Sequence, residues 1–182
     1  GLDPGARWLF LPENWRAGYM TPKQYAMYDK GGHEGRGQRF HEWSKTSMEA
    51  CCRWMREAPG RTEIILRPRP FIEPDKFAAF AKPWLEGAKK VHIIPDGTVR
   101  EWVAASDAVM SSLSSTLLEA ASAGKPAYVL APLSVPSDFT TEWIEMCRRI
   151  SSQEQFNGEL CLSSQLERSL DLEEWVQRTL MV

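Results

Sequence analysis

Short apolar runs alternate with amphipathic segments along the chain. Five runs have the length and composition of buried strands, at residues 8–11, 62–66, 91–94, 108–110 and directly after Pro126. A helix with one apolar face is predicted over residues 44–58, where apolar residues recur at i, i+3, i+4 and i+7: Met48, Cys51, Cys52 and Met55. Strands of this kind, connected by helices, predict a parallel sheet covered on both faces.

Helix start and stop signals predict the remaining elements. Further helices are predicted to begin at Pro74, Thr98 and Thr116, and to cover residues 137–150 and 170–181. Pro83 is expected to bend or shorten the helix that begins at Pro74, because proline lacks a backbone N–H. Residues 160–162 are predicted to form a short edge strand.

The predicted fold class is α/β, a Rossmann-like doubly wound parallel sheet with helices on both faces. We expect residues 7–182 to form a single domain and residues 1–6 a tail. The first residue is Gly1 rather than Met, which indicates a fragment of a longer chain. Ligands of this fold lie beyond the carboxyl ends of the strands, so five loops are predicted to meet there, at residues 12–15, 67–70, 95–97, 111–116 and 131–134. The order of the strands is left open.

A hydroxyl-rich turn follows the fourth predicted strand. Residues 111–116 carry five hydroxyl groups around a single leucine, and Thr116 and Glu119 have the spacing of a capping box. Gly124 is expected to end the helix that follows. A helix N-terminus surrounded by hydroxyls suits a bound phosphate, whereas the alternative is that the hydroxyls only cap a core helix. Both alternatives remain open from the local pattern.

Two arginines follow the second predicted strand. Arg67 and Arg69 flank Pro68, and guanidinium groups held by prolines can chelate a phosphate or diphosphate with little loss of entropy. The alternative is a pair of solvated arginines at a strand end. Because both anion-friendly loops are predicted at one edge of the sheet, the phosphate interpretation is favoured.

Candidate proton-transfer groups are few. His33 and His41 flank a glycine-rich stretch at residues 31–37, and Glu13 and Asn14 follow the first strand, so these four are possible cleft residues. None of them has the spacing of a catalytic triad, and we therefore leave the catalytic residues unassigned. No metal-ligand spacing, phosphate-binding P-loop or Gly-x-Gly-x-x-Gly motif occurs, so no metal and no cofactor is predicted.

Composition limits the class of partner. The 182 residues carry a formal net charge of −2 without a basic block, which argues against nucleic acid as a partner. No run of about 18 apolar residues occurs, so no membrane span is encoded. The four cysteines include no C-x-x-C pair and are predicted to be reduced core thiols of a cytoplasmic protein.

Three motifs together resemble a known family. They are Ile-Leu-Arg-Pro-Arg-Pro at residues 65–70, Val-Arg-Glu-Trp-Val-Ala-Ala-Ser-Asp at residues 99–107, and Ser-Ser-Leu-Ser-Ser-Thr-Leu-Leu-Glu-Ala-Ala-Ser-Ala-Gly-Lys-Pro at residues 111–126. They are similar to the C-terminal, donor-binding lobe of GT-B-fold glycosyltransferases, particularly of bacterial surface-carbohydrate biosynthesis proteins. The resemblance covers roughly residues 7–135.

The resemblance implies a nucleotide-sugar donor with a cytidine or uridine nucleotide. It implies that Ser114, Ser115 and Thr116 bind donor phosphate and that Glu119 binds the ribose. Arg69 stands where the family usually has a histidine, so it can bind phosphate but cannot exchange a proton there. The family also implies an N-terminal, acceptor-binding lobe for which this chain has no room, so the domain alone is expected to be inactive.

Two other functions remain open. The chain could be a lobe of a nucleotide-sugar 2-epimerase-like enzyme, which would need Glu13, His33 or His41 as acid and base. It could also be a non-catalytic interaction module that keeps the fold and presents some of its eight tryptophans at a surface.

Overall fold

The computed structural model describes residues 7–11 (main chain only), 35–60, 62–68, 74–161, 168 and 170–180. It contains a six-stranded parallel sheet with the strand order β3-β2-β1-β4-β5-β6. The strands are β1 (Arg7–Leu11), β2 (Glu63–Leu66), β3 (Val91–Ile93), β4 (Ala108–Ser111), β5 (Ala127–Leu130) and β6 (Arg148–Ile150). The predicted Rossmann-like α/β class is confirmed, and the strand order is that of a doubly wound sheet.

Helices cover both faces of this sheet. They are α1 (Arg36–Arg56), α2 (Pro74–Leu85), α3 (Val99–Ala105), α4 (Thr116–Ser122), α5 (Glu142–Met146), α6 (Gln153–Cys161) and α7 (Leu170–Leu180), with a 3-10 turn at Ser137–Phe139. Helices α1, α2 and α6 contribute to one core with Ile64 and Leu66 of β2. Helices α3, α4, α5 and α7 contribute to the other, with Ile65. This alternation along β2 is what buries an apolar strand on both sides.

The aligned rows of the sheet place Arg67 relative to β4. Leu66 pairs with Phe10, and the next residue of β1, Leu11, pairs with Ser111 of β4. Arg67 therefore lies in the row of Ser111, two strand spacings or about 10 Å away. Because side chains alternate along a strand, Arg67 shares the face of Ile65 and Ser111 shares that of Val109, which is the α3/α4 face in both cases.

One predicted helix boundary is wrong, and one helix continues for two residues past a proline. Helix α1 begins at Arg36 instead of residue 44, because Gly35 turns the chain with a φ of 73° and Phe40 then packs 4.6 Å from the ring of Phe139. The last two residues of the glycine-rich stretch, Arg36 and Gly37, are therefore helical. Helix α2 continues past Pro83 to Leu85, where the rings of Phe80 and Trp84 pack 5.0 Å apart.

The segment after β5 differs most from prediction. Residues 137–150 form a 3-10 turn, the short helix α5 and strand β6 instead of one helix. Ile144 and Cys147 are buried at and just after α5, whereas Ile150 is buried from a strand. Residues 160 and 161 belong to α6, so the predicted edge strand is wrong as far as the described residues show.

Burial separates the four cysteines. Cys51, Cys52 and Cys147 are buried free thiols, whereas Cys161 is exposed. Burial raises the pKa of Cys147 to about 12. Within the described ranges, no helix combines the length and the apolar character that crossing a membrane requires.

Candidate anion-binding site

The topological switch point of the sheet lies between β1 and β4. The connections from these neighbouring strands lead to opposite sides of the sheet, β1 toward β2 and β4 toward β5. Such a crevice at the carboxyl ends of the strands is the usual ligand position of doubly wound folds. The hydroxyl-rich turn at residues 112–115 follows β4 directly at this point.

Two of the hydroxyls that follow β4 bond each other. Ser114 Oγ accepts a hydrogen bond from the Thr116 backbone N–H at 3.3 Å and donates one to Thr116 Oγ1 at 3.1 Å. Both side chains are buried, whereas Ser115 between them is exposed. Ser115 is therefore the predicted phosphate ligand that faces solvent at the turn, while Ser114 and Thr116 shape it.

The predicted capping box between Thr116 and Glu119 does not form. Ser115 already has helical φ and ψ angles, and no side-chain hydrogen bond caps α4 at that residue. Thr116 lies inside the helix, so its hydroxyl cannot reach forward as a cap would, and Ser114 bonds the free N–H instead. The helix ends as predicted at Gly124, whose φ is 65° and whose N–H bonds Ala121 at 2.9 Å.

Glu119 lines an open pocket between α3 and α4. The pocket has a volume of about 410 Å³, and Glu119 and Ser122 on α4 face Arg100, Val103 and Ala104 on α3. Neither Glu119 nor Arg100 forms an ion pair in the part of the chain that the structure describes. The carboxylate and the guanidinium on opposite walls offer a ligand both hydrogen-bond acceptors and hydrogen-bond donors.

Arg67 is a buried cation without a carboxylate partner among the described residues. It follows β2 directly and is only 3% exposed. Its Nη2 donates a hydrogen bond to the Gly97 carbonyl oxygen at 2.5 Å, whereas Nε and Nη1 are buried without a partner in the described chain. Burial without a compensating charge lowers the pKa of this guanidinium. Two guanidinium nitrogens that are buried without a partner among the described residues are costly, and a bound anion would remove that cost.

The loop between β3 and α3 closes over Arg67 from the side of Gly97. Trp102 Nε1 donates a hydrogen bond to the Asp96 carbonyl oxygen at 2.7 Å. Thr98 and Glu101 form the predicted capping box, in which Thr98 N–H bonds Glu101 Oε2 at 2.7 Å and Glu101 N–H bonds Thr98 Oγ1 at 3.3 Å. The loop thus presents a fixed carbonyl to the arginine.

The structure brings some of the predicted site residues together and leaves others undescribed. Arg67, Ser114, Ser115 and Thr116 lie at the carboxyl edge, and Glu119 lies one helical turn beyond. Arg69, Glu13, Asn14 and His33 lie outside the described residues.

His41 lies on α1, whose N-terminal half reaches the 3-10 turn after β5 through Phe40. Burial and then Lys45 lower the pKa of His41, and Glu42 partly opposes them. No group of His, Cys, Asp and Glu in the described ranges could hold a metal ion.

Sequence reasoning missed the partners of Arg67. Gly97 lies 30 residues away in sequence, so no local motif connects the two. One signal was available: Pro95-Asp96-Gly97 directly after a strand indicates a tight turn at the same sheet edge. Arg100 was also missed, because a single exposed arginine on a helix has no pattern.

Comparison with known proteins gives one distant match. No protein-family model matches the chain, and no curated protein matches its sequence. Among solved structures, the crystal structure of Anabaena HepE in complex with UDP-glucose is similar at 13% identity and a TM-score of 0.39. The alignment covers 96% of this chain and 48% of HepE, so the chain spans about half the length of that protein.

Proposed function

We propose that this chain is the donor-binding domain of a glycosyltransferase that acts in bacterial surface-polysaccharide biosynthesis. Its ligand is the nucleotide part of a nucleotide-sugar, with cytidine or uridine as the nucleoside. The observation that carries the proposal is the buried guanidinium of Arg67 at the edge of the sheet where such folds bind ligands, with Nε and Nη1 unpartnered among the described residues.

Each group of the site has a separate task. Arg67 donates Nε–H and Nη1–H to phosphate oxygens, and Arg69 adds a second positive charge. Ser115, together with the buried Ser114 and Thr116 beside it, forms the wall of the site on the β4 side. Glu119 in the adjoining pocket accepts hydrogen bonds from the ribose diol, since an ionised carboxylate has several acceptor positions.

The domain binds the donor but does not by itself transfer the sugar. The acceptor and the catalytic base belong to a second, N-terminal lobe in this proposal.

The proposal is tested by measuring whether nucleotides raise the melting temperature of the chain. A ligand that binds only the folded state at 100 times its dissociation constant stabilises it by about 2.7 kcal/mol, which shifts the melting temperature by several degrees. We expect such a shift with UDP or CDP and a smaller one with uridine or cytidine.

Arg67→Met separates a ligand-binding role from a structural role. Methionine fills a similar volume without a charge, so the ligand-free variant should gain about 1–3 kcal/mol of unfolding free energy while the nucleotide shift disappears. Arg178→Met, an exposed arginine of α7, should change neither quantity. A destabilised Arg67→Met that still responds to UDP would overturn the proposal, as would a wild-type chain that responds to no nucleotide at millimolar concentration.

A further inference from the structure

The loop between β3 and α3 is fixed by side chains from three directions. Arg67 binds the carbonyl of Gly97, Trp102 binds the carbonyl of the preceding Asp96, and the Thr98–Glu101 capping box holds the residue that follows. These contacts bind successive peptide groups, so the loop has little freedom to move without breaking at least one of them.

Gly97 is confined by more than its hydrogen bond. Its φ is 78°, a value that residues with a side chain rarely adopt. A Cβ atom at this position would lie 2.8 Å from Trp102 Nε1, which is closer than such contacts occur. The indole therefore packs against the bare backbone of Gly97 while it bonds the neighbouring carbonyl. Gly97 therefore contacts both the guanidinium of Arg67 and the indole of Trp102.

From this arrangement we propose that Gly97 and Trp102 are positioning residues of the anion site. They hold the Gly97 carbonyl where it engages Nη2 of Arg67, so that Nε–H and Nη1–H remain available for an anion. The inference rests on the proposed function and deepens it, because it identifies which residues orient the phosphate-binding arginine. An arginine side chain carries much rotational entropy, and fixing it before the ligand arrives removes that cost from binding.

The competing explanation is that the loop merely supports the start of α3. Under that explanation, substitutions in the loop would lower stability but leave nucleotide affinity unchanged. Two measurements therefore separate the explanations: the affinity for UDP at temperatures where every variant is folded, and the exchange of the Arg67 Nε–H group with water.

Two pairs of variants in the full chain provide the test. Gly97→Ala is compared with Gly60→Ala, since Gly60 has a φ of 74° but nothing within 4 Å of its Cβ position. Trp102→Phe, which removes the indole N–H, is compared with Trp84→Phe, a partly buried tryptophan of α2 that packs on Phe80. Each control reproduces the general cost of the change away from the loop.

The first readout is the dissociation constant for UDP, measured by calorimetry. We expect Gly97→Ala to weaken binding by about tenfold or more and Trp102→Phe by about fivefold, as the loss of one or two positioning hydrogen bonds would. Gly60→Ala and Trp84→Phe should stay within about twofold of the wild type.

The second readout is the NMR signal of the Arg67 Nε–H group in the ligand-free chain. Its exchange with water should be slow in the wild type and both controls, and clearly faster in Gly97→Ala and Trp102→Phe. If both loop variants bind UDP as tightly as the wild type while Arg67→Met does not bind it, the inference is overturned and the proposed function stands. If no nucleotide binds the wild type, the proposed function fails, and unchanged Arg67 exchange in the loop variants would still refute the positioning role separately.

Discussion

The turns that follow β3 and β4 lie at the same edge of the sheet and share one sequence pattern, yet they close differently. Each has a threonine followed three residues later by a glutamate, Thr98 with Glu101 and Thr116 with Glu119. The first pair forms a reciprocal capping box. The second does not, and its glutamate faces the pocket between α3 and α4 instead.

The difference comes from the residue before each threonine. Gly97 turns the chain with a positive φ, so Thr98 stays extended, with φ −89° and ψ 157°, and its hydroxyl can reach forward to accept the N–H of Glu101. Ser115 is already helical, so Thr116 begins the helix instead of preceding it. The spacing of a capping box is thus necessary but not sufficient, because the threonine must also precede the first helical residue.

This comparison assigns opposite roles to the two glutamates. Glu101 caps α3 as part of the fold, whereas we propose that Glu119 binds the ligand. The largest expected effect follows from exchanging their carboxylates for amides. Glu119→Gln should weaken UDP binding by about tenfold, because a hydrogen bond to a charged group is lost, while the melting temperature of the free chain is unchanged.

Glu101→Gln provides the reverse experiment. It should slightly lower the melting temperature of the free chain, because the negative charge near the start of α3 is lost. The glutamine amide oxygen can still accept the hydrogen bond from Thr98 N–H and keep the loop in place, so UDP affinity should stay within about twofold of the wild type. Calorimetry and thermal unfolding on both variants complete the comparison. If Glu119→Gln lost stability but kept its affinity for UDP, the two turns would not differ in function as we propose.

The sequence was sufficient to predict the parts of the molecule where one local rule acts alone. Apolar runs located β1 to β5, and Gly124 located the end of α4. β6 was missed because it is a three-residue edge strand in which Arg148 and Arg149 are exposed and only Ile150 is buried. So short a segment, with one buried position, has neither a period nor an apolar run.

The sequence predicted which edge of the sheet carries the candidate site, but not the burial and hydrogen bonds of its side chains. The arginine after β2 and the hydroxyls after β4 were placed at one edge by the rule that loops of parallel strands meet there. The burial of Arg67 was not predictable, since its partner Gly97 is distant in sequence and the strand order that joins their loops had no local signal. The hydrogen bonds of Ser114 were not predictable either. Its hydroxyl bonds Thr116 because Ser115 has helical backbone angles and the helix begins at Thr116.

A smaller effect is expected from removing the threonine that caps α3. Thr98→Ala should lower the free energy of unfolding by about 1 kcal/mol, the usual cost of losing a side-chain cap. Thr141→Ala is the matched control: Thr141 precedes α5 with an extended backbone but caps no N–H through its side chain. Urea unfolding should therefore detect a loss for Thr98→Ala and little change for Thr141→Ala. Equal losses in both variants would show that the cost is one of threonine replacement and not of the cap.

The smallest expected effect is on the titration of Glu101. Hydrogen bonds from the Thr98 backbone N–H and hydroxyl lower the pKa of the Glu101 carboxyl below its ordinary value of 4.5. A carboxyl whose pKa is lowered in the folded state contributes stability above its unfolded pKa, and this contribution is lost as the pH falls through the folded pKa. The contribution is therefore complete well above pH 4.5 and declines progressively as the pH falls below that value.

Thr98→Ala removes one of the two donors and should move the pKa of Glu101 upward toward its ordinary value. An NMR titration of the side-chain carboxyl carbon measures this shift directly, and Thr141→Ala should leave it in place. Because Glu101 is exposed, solvent weakens the interaction and the change in stability at acid pH will be slight. The titration therefore tests the capping box more sensitively than unfolding does: a Glu101 pKa that is the same in wild type and Thr98→Ala would mean that the backbone N–H alone holds the carboxylate.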